Sequence, residues 1–180
     1  MRGGRFAQEK RPNPPQLFTG GLVSDNYQWR RRFIDLVEDV FRDLGFPPPA
    51  MTHDPAEPLS MEIEVDEVSF EVVHVPNQRP EHILIECNFG APPPAQVVPV
   101  LTRLLQVNLI MAREHQATFG ADSRTNAVIF TSSESLAEIN AAALMDEMRA
   151  LAKRAKEWRR SYYLEDDGAD AGANLFETLA

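Results

Sequence analysis

Three glutamates have a spacing that could support chemistry. Glu62, Glu71 and Glu86 each lie in a segment in which apolar and polar residues alternate, and one antiparallel register would set them side by side on one face of a sheet. Neighbouring carboxylates can share a proton, bind a divalent cation, or pair with basic residues of a partner. Because like charges repel, the simplest expectation is that the side chains spread into water, where salt screens them. Pairing with a partner's lysines or arginines comes second. A cation or acid–base site comes last, because no pocket-forming element can be assigned above the row.

The other reactive side chains lack the neighbours that catalysis or metal binding requires. Cys87 lies in the middle of a predicted strand on its apolar face, which suits a small buried hydrophobic residue. As the single cysteine it can form no intrachain disulfide. His74 and His82 flank one turn, but the sequence offers no third ligand with a fixed geometry. The dinucleotide, P-loop, zinc-protease and nucleophile-elbow motifs do not occur. We therefore predict no catalytic, cofactor-binding or metal-binding residues, and a protein that is not an enzyme.

The segments that carry the glutamates are predicted to form a three-stranded antiparallel meander. They cover Leu59 to Asp66, Val68 to Val72 and Ile83 to Phe89, and each alternates between apolar and polar residues. In one register, the residue numbers of paired residues sum to about 133 for the first and second strands and to about 157 for the second and third. This register places nine apolar residues in three cross-strand rows on one face. The rows are Met61–Val72–Ile85, Ile63–Phe70–Cys87 and Val65–Val68–Phe89. The turn at Asp66-Glu67 lacks the usual glycine, so its type stays open.

Helical spacing predicts an amphipathic helix on either side of this meander. The first begins at a Ser24 or Asp25 cap and ends before Gly45 and three prolines, and the second begins near Pro94 or Ala95. The apolar stripe of the first helix comprises Phe33, Leu36, Val37, Val40, Phe41 and Leu44. The stripe of the second comprises Val97, Leu101, Leu104, Leu105, Asn108 and Leu109.

The C-terminal half is predicted to hold a hairpin and a long helix. The hairpin strands are Ala117 to Ala121 and Ala127 to Thr131, and Ser135 with Glu138 forms a capping box that opens the third helix. The element order is therefore α-β-β-β-α-β-β-α, an α+β fold with an antiparallel sheet packed against helices. We expect residues 25–164 to form one domain, between a disordered basic arm at 1–24 and a disordered acidic tail at 165–180.

Charge and hydropathy exclude several classes of function. The chain has a net charge of −9 and an isoelectric point near 4.9, whereas nucleic acids and anionic membranes attract cationic surfaces. The N-terminus has no signal-peptide pattern. The most apolar stretch, within 91–112, contains four prolines and Arg103, so we do not expect it to span a bilayer. These features predict a cytoplasmic protein that binds neither nucleic acid nor membrane.

The order of elements resembles the CesT (Tir chaperone) family of class I type III secretion chaperones. The similarity covers about residues 26–164. It rests on Leu44-Gly45-Phe46-Pro47 at the end of the first helix, the run from Leu104 to Asn108 in the second, the two sets of strands, and Ala155 and Trp158 near the end of the last helix. The long basic arm, the proline-rich loop at 47–58 and the acidic tail depart from the family pattern.

The resemblance implies a homodimer from a Gram-negative bacterium that binds the N-terminal region of secreted effectors in extended form, without ATP or another cofactor. It implies a dimer interface at Leu101, Leu104, Leu105, Asn108 and Leu109. It also makes Phe33, Val37, Val40, Phe41 and Leu44 candidates for the effector-binding patch or for the core behind it. Contact with the secretion-apparatus ATPase is left open. Two alternatives remain: a regulatory protein of the same fold that sequesters a secretion or transcription regulator, and a small enzyme of unrecognised type.

Overall fold

The computed structural model describes residues 20–51, 54, 57–114 and 117–163, without the side chains of residues 20–25, 113 and 114. Residues 1–19 and 164–180, which include most of the predicted arm and the whole predicted tail, lie outside the described residues. The predicted order of elements is confirmed. In sequence order the elements are α1 (Gly20–Asp43), β1 (Leu59–Val65), β2 (Val68–His74), β3 (His82–Gly90), a short 3₁₀ turn (Pro94–Gln96), α2 (Val97–Glu114), β4 (Ala117–Ala121), β5 (Val128–Ser135) and α3 (Ala141–Ser161).

The five strands form one antiparallel sheet in the order β1-β2-β3-β5-β4. The predicted register is confirmed: Met61 pairs with Val72, and Phe70 pairs with Cys87. The turn between β1 and β2 has positive φ at both Asp66 and Glu67. This is the type I′ geometry, which matches the twist of a two-residue hairpin even though glycine is absent here.

The core lies between one face of this sheet and the helices. The apolar row residues Met61, Phe70 and Ile85 are buried there, together with Leu144 and Trp158 of α3. Arg159 fixes the end of α3 to β3, because its Nε donates to the carbonyl oxygen of Phe89 at 3.0 Å and its Nη2 to that of Asn88 at 2.9 Å. One face of the sheet is therefore held tightly under α3.

Two of the three predicted helix starts require correction. The first helix begins at Gly20, so Ser24 and Asp25 lie inside α1 rather than at its cap; the sequence has no proline between Gly20 and Asp43 that would end it earlier. The capping box at Ser135 and Glu138 does not form. Instead β5 continues to Ser135, which pairs with His82.

The start of α3 is set by an asparagine. Asn140 is the N-cap, and its Oδ1 accepts a hydrogen bond from the amide of Ala143 at 3.0 Å. Ser135 Oγ accepts only from the amide of Ala137 in the preceding turn. Pairing along β3 therefore prevails over the local capping signal, because the strand ladder satisfies the backbone groups of β5 as far as Ser135.

Candidate protein-binding surfaces

The second helix divides its apolar residues between the core and the surface. Val100, Leu104, Val107 and Met111 are buried, and α2 packs beside β4. The opposite side exposes four large apolar residues: Val98 at 75%, Leu105 at 69%, Leu109 at 64% and Ile110 at 51%. We call these four residues the α2 surface. Large contiguous apolar patches are uncommon on the surface of monomeric soluble proteins.

Residues Pro94–Ala112 meet the length and composition criteria of a membrane span, with a mean hydropathy of 1.4. A mostly buried core helix of a soluble protein meets the same criteria, whereas 22% of this segment is buried. Here Pro99 and Arg103 interrupt it, and one side of the helix packs on the sheet. Among the helices of the described ranges, it is the one that meets these criteria.

The structure places the five residues predicted for a dimer interface in three different environments. Leu105 and Leu109 belong to the α2 surface, Leu101 is half-buried beside the core, and Leu104 is buried. Asn108 is half-buried and has an intramolecular role: its Nδ2 donates to the carbonyl oxygen of Phe119 at 2.8 Å, and its Oδ1 accepts from the amide of Phe119 at 2.7 Å. The Asn108 amide thus pairs with the edge strand β4 as another strand would.

The predicted apolar stripe of the first helix is buried except at its C-terminal end. Phe33, Val37 and Val40 are completely buried, so of the two roles open to them the structure places them in the core. Phe41 is half-buried against the core, and Leu44 is 37% exposed. The sequence prediction did not include Phe46, which is 61% exposed.

A helix-terminating motif sets the position of Phe46. Gly45 has φ of +77°, its amide donates to the carbonyl of Arg42 at 3.0 Å, and the Phe46 amide donates to that of Phe41 at 2.9 Å. This is the Schellman motif, in which the residue after the glycine commonly contacts the last turn of the helix. The sequence signal that could have indicated Phe46 is an apolar residue directly after the glycine that ends the helix. We call Leu44 and Phe46 the α1 end.

The face of the sheet opposite the core carries the glutamate row. Glu62 pairs with Glu71, and Glu71 pairs with Glu86, as the predicted register requires. Burial, and then the charge of Glu71, raises the pKa of Glu86. The side chains of this face are half-buried or exposed on every strand, and the glutamates line an open cleft with Ser69, Asn88 and Ile129. Carboxylates and neutral groups line the cleft, together with Arg124.

Cys87 and His74 are both buried. Burial raises the pKa of Cys87 to about 12, so its thiol is not a nucleophile at neutral pH. His74 stacks on Phe33 with ring centroids 5.5 Å apart, and its Nε2 lies 2.8 Å from the carbonyl oxygen of Pro80. Burial lowers the pKa of His74 and favours the neutral ring. Among the described residues, no three histidine, cysteine or acidic side chains come close enough to hold a metal ion.

A comparison with protein-family models identifies the fold. The model of the Tir chaperone protein (CesT) family matches residues 35–159, from the middle of α1 to the end of α3. The chain belongs to this family. The resemblance that the sequence suggested is therefore confirmed, and the two surfaces described above belong to a CesT-family chaperone fold.

Two solved structures share this chaperone fold at low sequence identity. A chain of the ExsC–ExsE complex is 17% identical, with a TM-score of 0.57, and the match covers 73% of this chain and 94% of that one. A chain of the HopA1–SchA chaperone–effector complex is also 17% identical, with a TM-score of 0.53, and the match covers 74% of this chain and 98% of that one. No protein with a curated description has a significantly similar sequence.

Proposed function

We propose that this CesT-family protein is a type III secretion chaperone that has no enzymatic activity. As a homodimer it binds the N-terminal region of secreted effectors in extended form and keeps them competent for secretion. The observation that carries this proposal is the presence of two separate apolar surfaces, the α2 surface and the α1 end, on a protomer whose core is already closed. One surface serves the second copy, and the other serves the client.

The α2 surface suits self-association. Val98, Leu105 and Leu109 share one side of α2, with Ile110 next to them, which is the geometry that lets two copies pack helix against helix about a twofold axis. Packing removes Leu105 and Leu109 from water, at a gain of about 25 cal/mol for each Å² of apolar area. Asn108 supports this arrangement indirectly, because it holds α2 in place along β4.

The α1 end and the free edge of β1 suit an extended client. Leu44 and Phe46 are exposed beside the half-buried Phe41, which gives apolar contacts for a client side chain. β1 is the first strand of the sheet, so within the described part of the chain one of its sides has no neighbouring strand. At the other end of the sheet, Asn108 already occupies the backbone groups of Phe119. An extended peptide can add to a free edge through main-chain hydrogen bonds while a pocket selects its side chains.

The chemical environment of the reactive residues supports a binding role over catalysis. Cys87 is buried with a raised pKa, and His74 is buried against Phe33 and bound to a backbone carbonyl. The HopA1–SchA structure, described as a chaperone–effector complex, is a related fold with such a binding role. The family's chaperone character supports the same role for this chain.

The decisive experiment is co-expression of the full chain with N-terminal segments of candidate effectors from the same bacterium, followed by co-purification. We expect the wild-type protein to retain a client and the paired substitution of Leu44→Asp and Phe46→Asp to lose at least nine-tenths of it, while both stay dimeric in sedimentation analysis. Tyr27→Asp is the matched control, because Tyr27 is an exposed aromatic residue of α1 away from its C-terminal end.

Two results would contradict the proposal. Failure of every effector segment to co-purify would remove the client, and retention of the client by the paired variant would remove the α1 end as its binding site. Recovery of a transcription or secretion regulator as the sole partner would favour the regulatory alternative on the same fold.

A further inference from the structure

The two edges of the sheet differ in how their backbone groups are satisfied. β1 forms one edge and β4 forms the other. At β4, the side chain of Asn108 binds both the amide and the carbonyl group of Phe119. Among the described residues, β1 has neither a strand nor a backbone hydrogen bond on its outer side. The β1 edge is therefore the side on which the sheet can accept a further strand.

The register of the first hairpin determines which residues of β1 direct their backbone groups outward. The turn at Asp66 and Glu67 closes a two-residue hairpin, so the flanking pair, Val65 and Val68, exchanges backbone hydrogen bonds. Bonded and non-bonded pairs alternate along an antiparallel ladder. The amide and carbonyl groups that point away from β2 are therefore those of Ser60, Glu62 and Glu64.

The opposite edge of the sheet provides a check on this assignment. When the same alternation is continued through the pairings of β2, β3 and β5, it assigns outward-pointing backbone groups on β4 to Phe119. These are the groups that Asn108 binds. The hydrogen bonds observed at the β4 edge thus agree with the outward groups assigned to the β1 edge.

The outward-pointing residues also determine the charge that an added strand meets. Side chains alternate between the two faces of a sheet, so Ser60, Glu62 and Glu64 all lie on the face opposite the core, where they are exposed. A residue of the added strand that pairs with one of them places its own side chain on the same face. A lysine or arginine there is attracted by Glu62 or Glu64, whereas an acidic residue is repelled. Glu71, which pairs with Glu62, adds to this preference.

The alternate residues of β1 face the core and favour apolar side chains. Leu59 and Ile63 pack against the core cluster but are only half-buried. An apolar side chain of the added strand on this face would cover apolar area that they leave in water. The strand that fits the β1 edge therefore alternates between basic and apolar residues, with the period of two that strand geometry requires.

The same charges disfavour a second copy of this chain as the occupant. If two β1 strands paired antiparallel through their outer edges, the register with the most pairs would set Glu62 against Glu62 and Glu64 against Ser60. A shift by two residues would set Glu62 against Glu64. Like charges in opposite positions are unfavourable, and charged side chains on an edge strand are a known means of preventing such pairing.

We propose that the β1 edge selects the client by its sequence pattern and binds an extended segment in which basic and apolar residues alternate. The backbone groups of Ser60, Glu62 and Glu64 bind this segment as an additional strand. The carboxylates of Glu62 and Glu64 pair with its basic residues. This inference rests on the proposed function, because it specifies which segment of a client the chaperone recognises.

Short peptides test the pattern in the absence of an effector. The first peptide has seven residues, the length of β1, and alternates valine with lysine. The second has the same composition with its lysines grouped together, and in the third glutamate replaces lysine. We expect the full chain to bind the alternating lysine peptide about tenfold more tightly than either of the others, because each cross-strand charge pair contributes about twofold to fivefold. Fluorescence anisotropy of labelled peptides measures Kd, and equal affinity for the two lysine peptides would overturn the proposal.

Exchange of the charges on β1 gives a sharper test. Glu62→Lys combined with Glu64→Lys should make the glutamate peptide bind about tenfold more tightly than the alternating lysine peptide. The variant should fold, because Glu71 then pairs with a residue of opposite charge. Glu138→Lys combined with Glu157→Lys makes the same change in net charge at exposed positions in and before α3, and should keep the preference for lysine. The same preference in the two variants would overturn the proposal.

Amide hydrogen exchange locates the bound peptide. With the alternating lysine peptide at about nine-tenths occupancy, the amides of Ser60, Glu62 and Glu64 should exchange about tenfold more slowly. The amides of Met61 and Ile63 point toward β2 and should keep their rates. Protection of a different set of amides would place the peptide elsewhere and overturn the proposal.

An effector segment that co-purifies with the protein separates this inference from the proposed function. Retention of that segment at the wild-type level by the Glu62→Lys, Glu64→Lys variant would overturn the role of the β1 edge and leave the chaperone function in place. Loss of the segment from this variant, but not from the Glu138→Lys, Glu157→Lys control, would support that role. If no effector segment co-purifies, the proposed function fails, and the peptide measurements still decide whether the β1 edge recognises the pattern.

Discussion

The apolar stripes of α1 and α2 follow the same helical spacing but meet different surroundings. In α1, Phe33, Val37 and Val40 are completely covered by the sheet and α3. In α2, Leu104 is covered, whereas Leu105 and Leu109 remain more than half exposed. The first helix closes the core, and the second leaves apolar area for another molecule.

The difference follows from what each helix packs against. α1 lies against α3 and close to the buried ring of His74, so its stripe meets apolar side chains along most of its length. α2 packs beside the short edge strand β4, which has only five residues. Such a strand covers one side of a helix of 18 residues and leaves the neighbouring side open. An apolar stripe therefore indicates which residues avoid water, but the partner surface decides whether the same chain covers them.

The largest effect is expected from truncation of the covered stripe. Phe33→Ala leaves a cavity beside His74 and should lower the free energy of unfolding by about 3–5 kcal/mol, measured by urea denaturation. Tyr27→Ala, at an exposed position of the same helix, is the control and should change the free energy of unfolding by less than about 0.5 kcal/mol. Similar losses in the two variants would show that the covered stripe is not the core of the protomer.

The next effect concerns association through the α2 surface. Leu105→Asp places a charge where a second copy packs and should weaken dimer formation by about 2–4 kcal/mol. The circular dichroism spectrum should be retained, because Leu105 is exposed in the protomer. Sedimentation at several concentrations measures the shift to monomer. Ala142→Asp, at an exposed position in the first turn of α3, should leave the dimer intact; an unchanged dimer in Leu105→Asp would place the interface elsewhere.

Sequence alone could predict the sheet because both of its faces carry a pattern. Met61, Phe70 and Ile85 on one face and the glutamates on the other fix the same register, and a shift by one residue would expose the first set. The end of β5 could not be predicted in this way. Its residues from Thr131 to Ser135 are small, polar or charged, and their strand geometry depends on pairing with β3, which is distant in sequence.

The candidate surfaces were predictable only in part. The spacing marked Leu105 and Leu109 as apolar positions of α2, but it equally marked Leu104, which is buried. The contact of Asn108 with Phe119 joins residues on different elements, so no local pattern in α2 could indicate it. Exposure and tertiary hydrogen bonds depend on where elements meet, and helical periodicity carries no information on that.

The ionisation of Glu147, a half-buried acid of α3, should change the free energy of unfolding. Glu147 of α3 accepts a hydrogen bond from Ser132 Oγ at 3.1 Å, and burial, followed by the charge of Glu134, raises its pKa to about 7. The pKa of Glu134 is itself raised by burial and then by the charge of Glu138, against a smaller lowering by His82. Because the folded protein holds this proton more tightly than the unfolded chain does, the free energy of unfolding should fall as the pH rises from about 5 to 8.

Glu147→Gln keeps the acceptor of the Ser132 hydrogen bond and removes the charge. We expect the variant to match wild type at pH 5 and to exceed its free energy of unfolding by about 2 kcal/mol at pH 8, measured by urea denaturation at both values. Asp146→Asn, at the exposed neighbouring position, controls for the loss of charge alone. A variant with the same pH dependence as wild type would show that Glu147 is solvated in the folded protein.

The smallest effect tests how α2 is held at the edge of the sheet. Asn108→Ala removes both hydrogen bonds to the backbone of Phe119 and should cost about 1–2 kcal/mol, because an edge amide and carbonyl lose their partner but still reach water. Hydrogen exchange of the Phe119 amide should accelerate by about tenfold, in proportion to that loss. Gln106→Ala, an exposed amide on the same helix, should leave the exchange unchanged. If exchange at Phe119 stays slow in Asn108→Ala, another group covers the β4 edge, and the contrast between a closed β4 edge and a free β1 edge then rests on the packing of α2 alone.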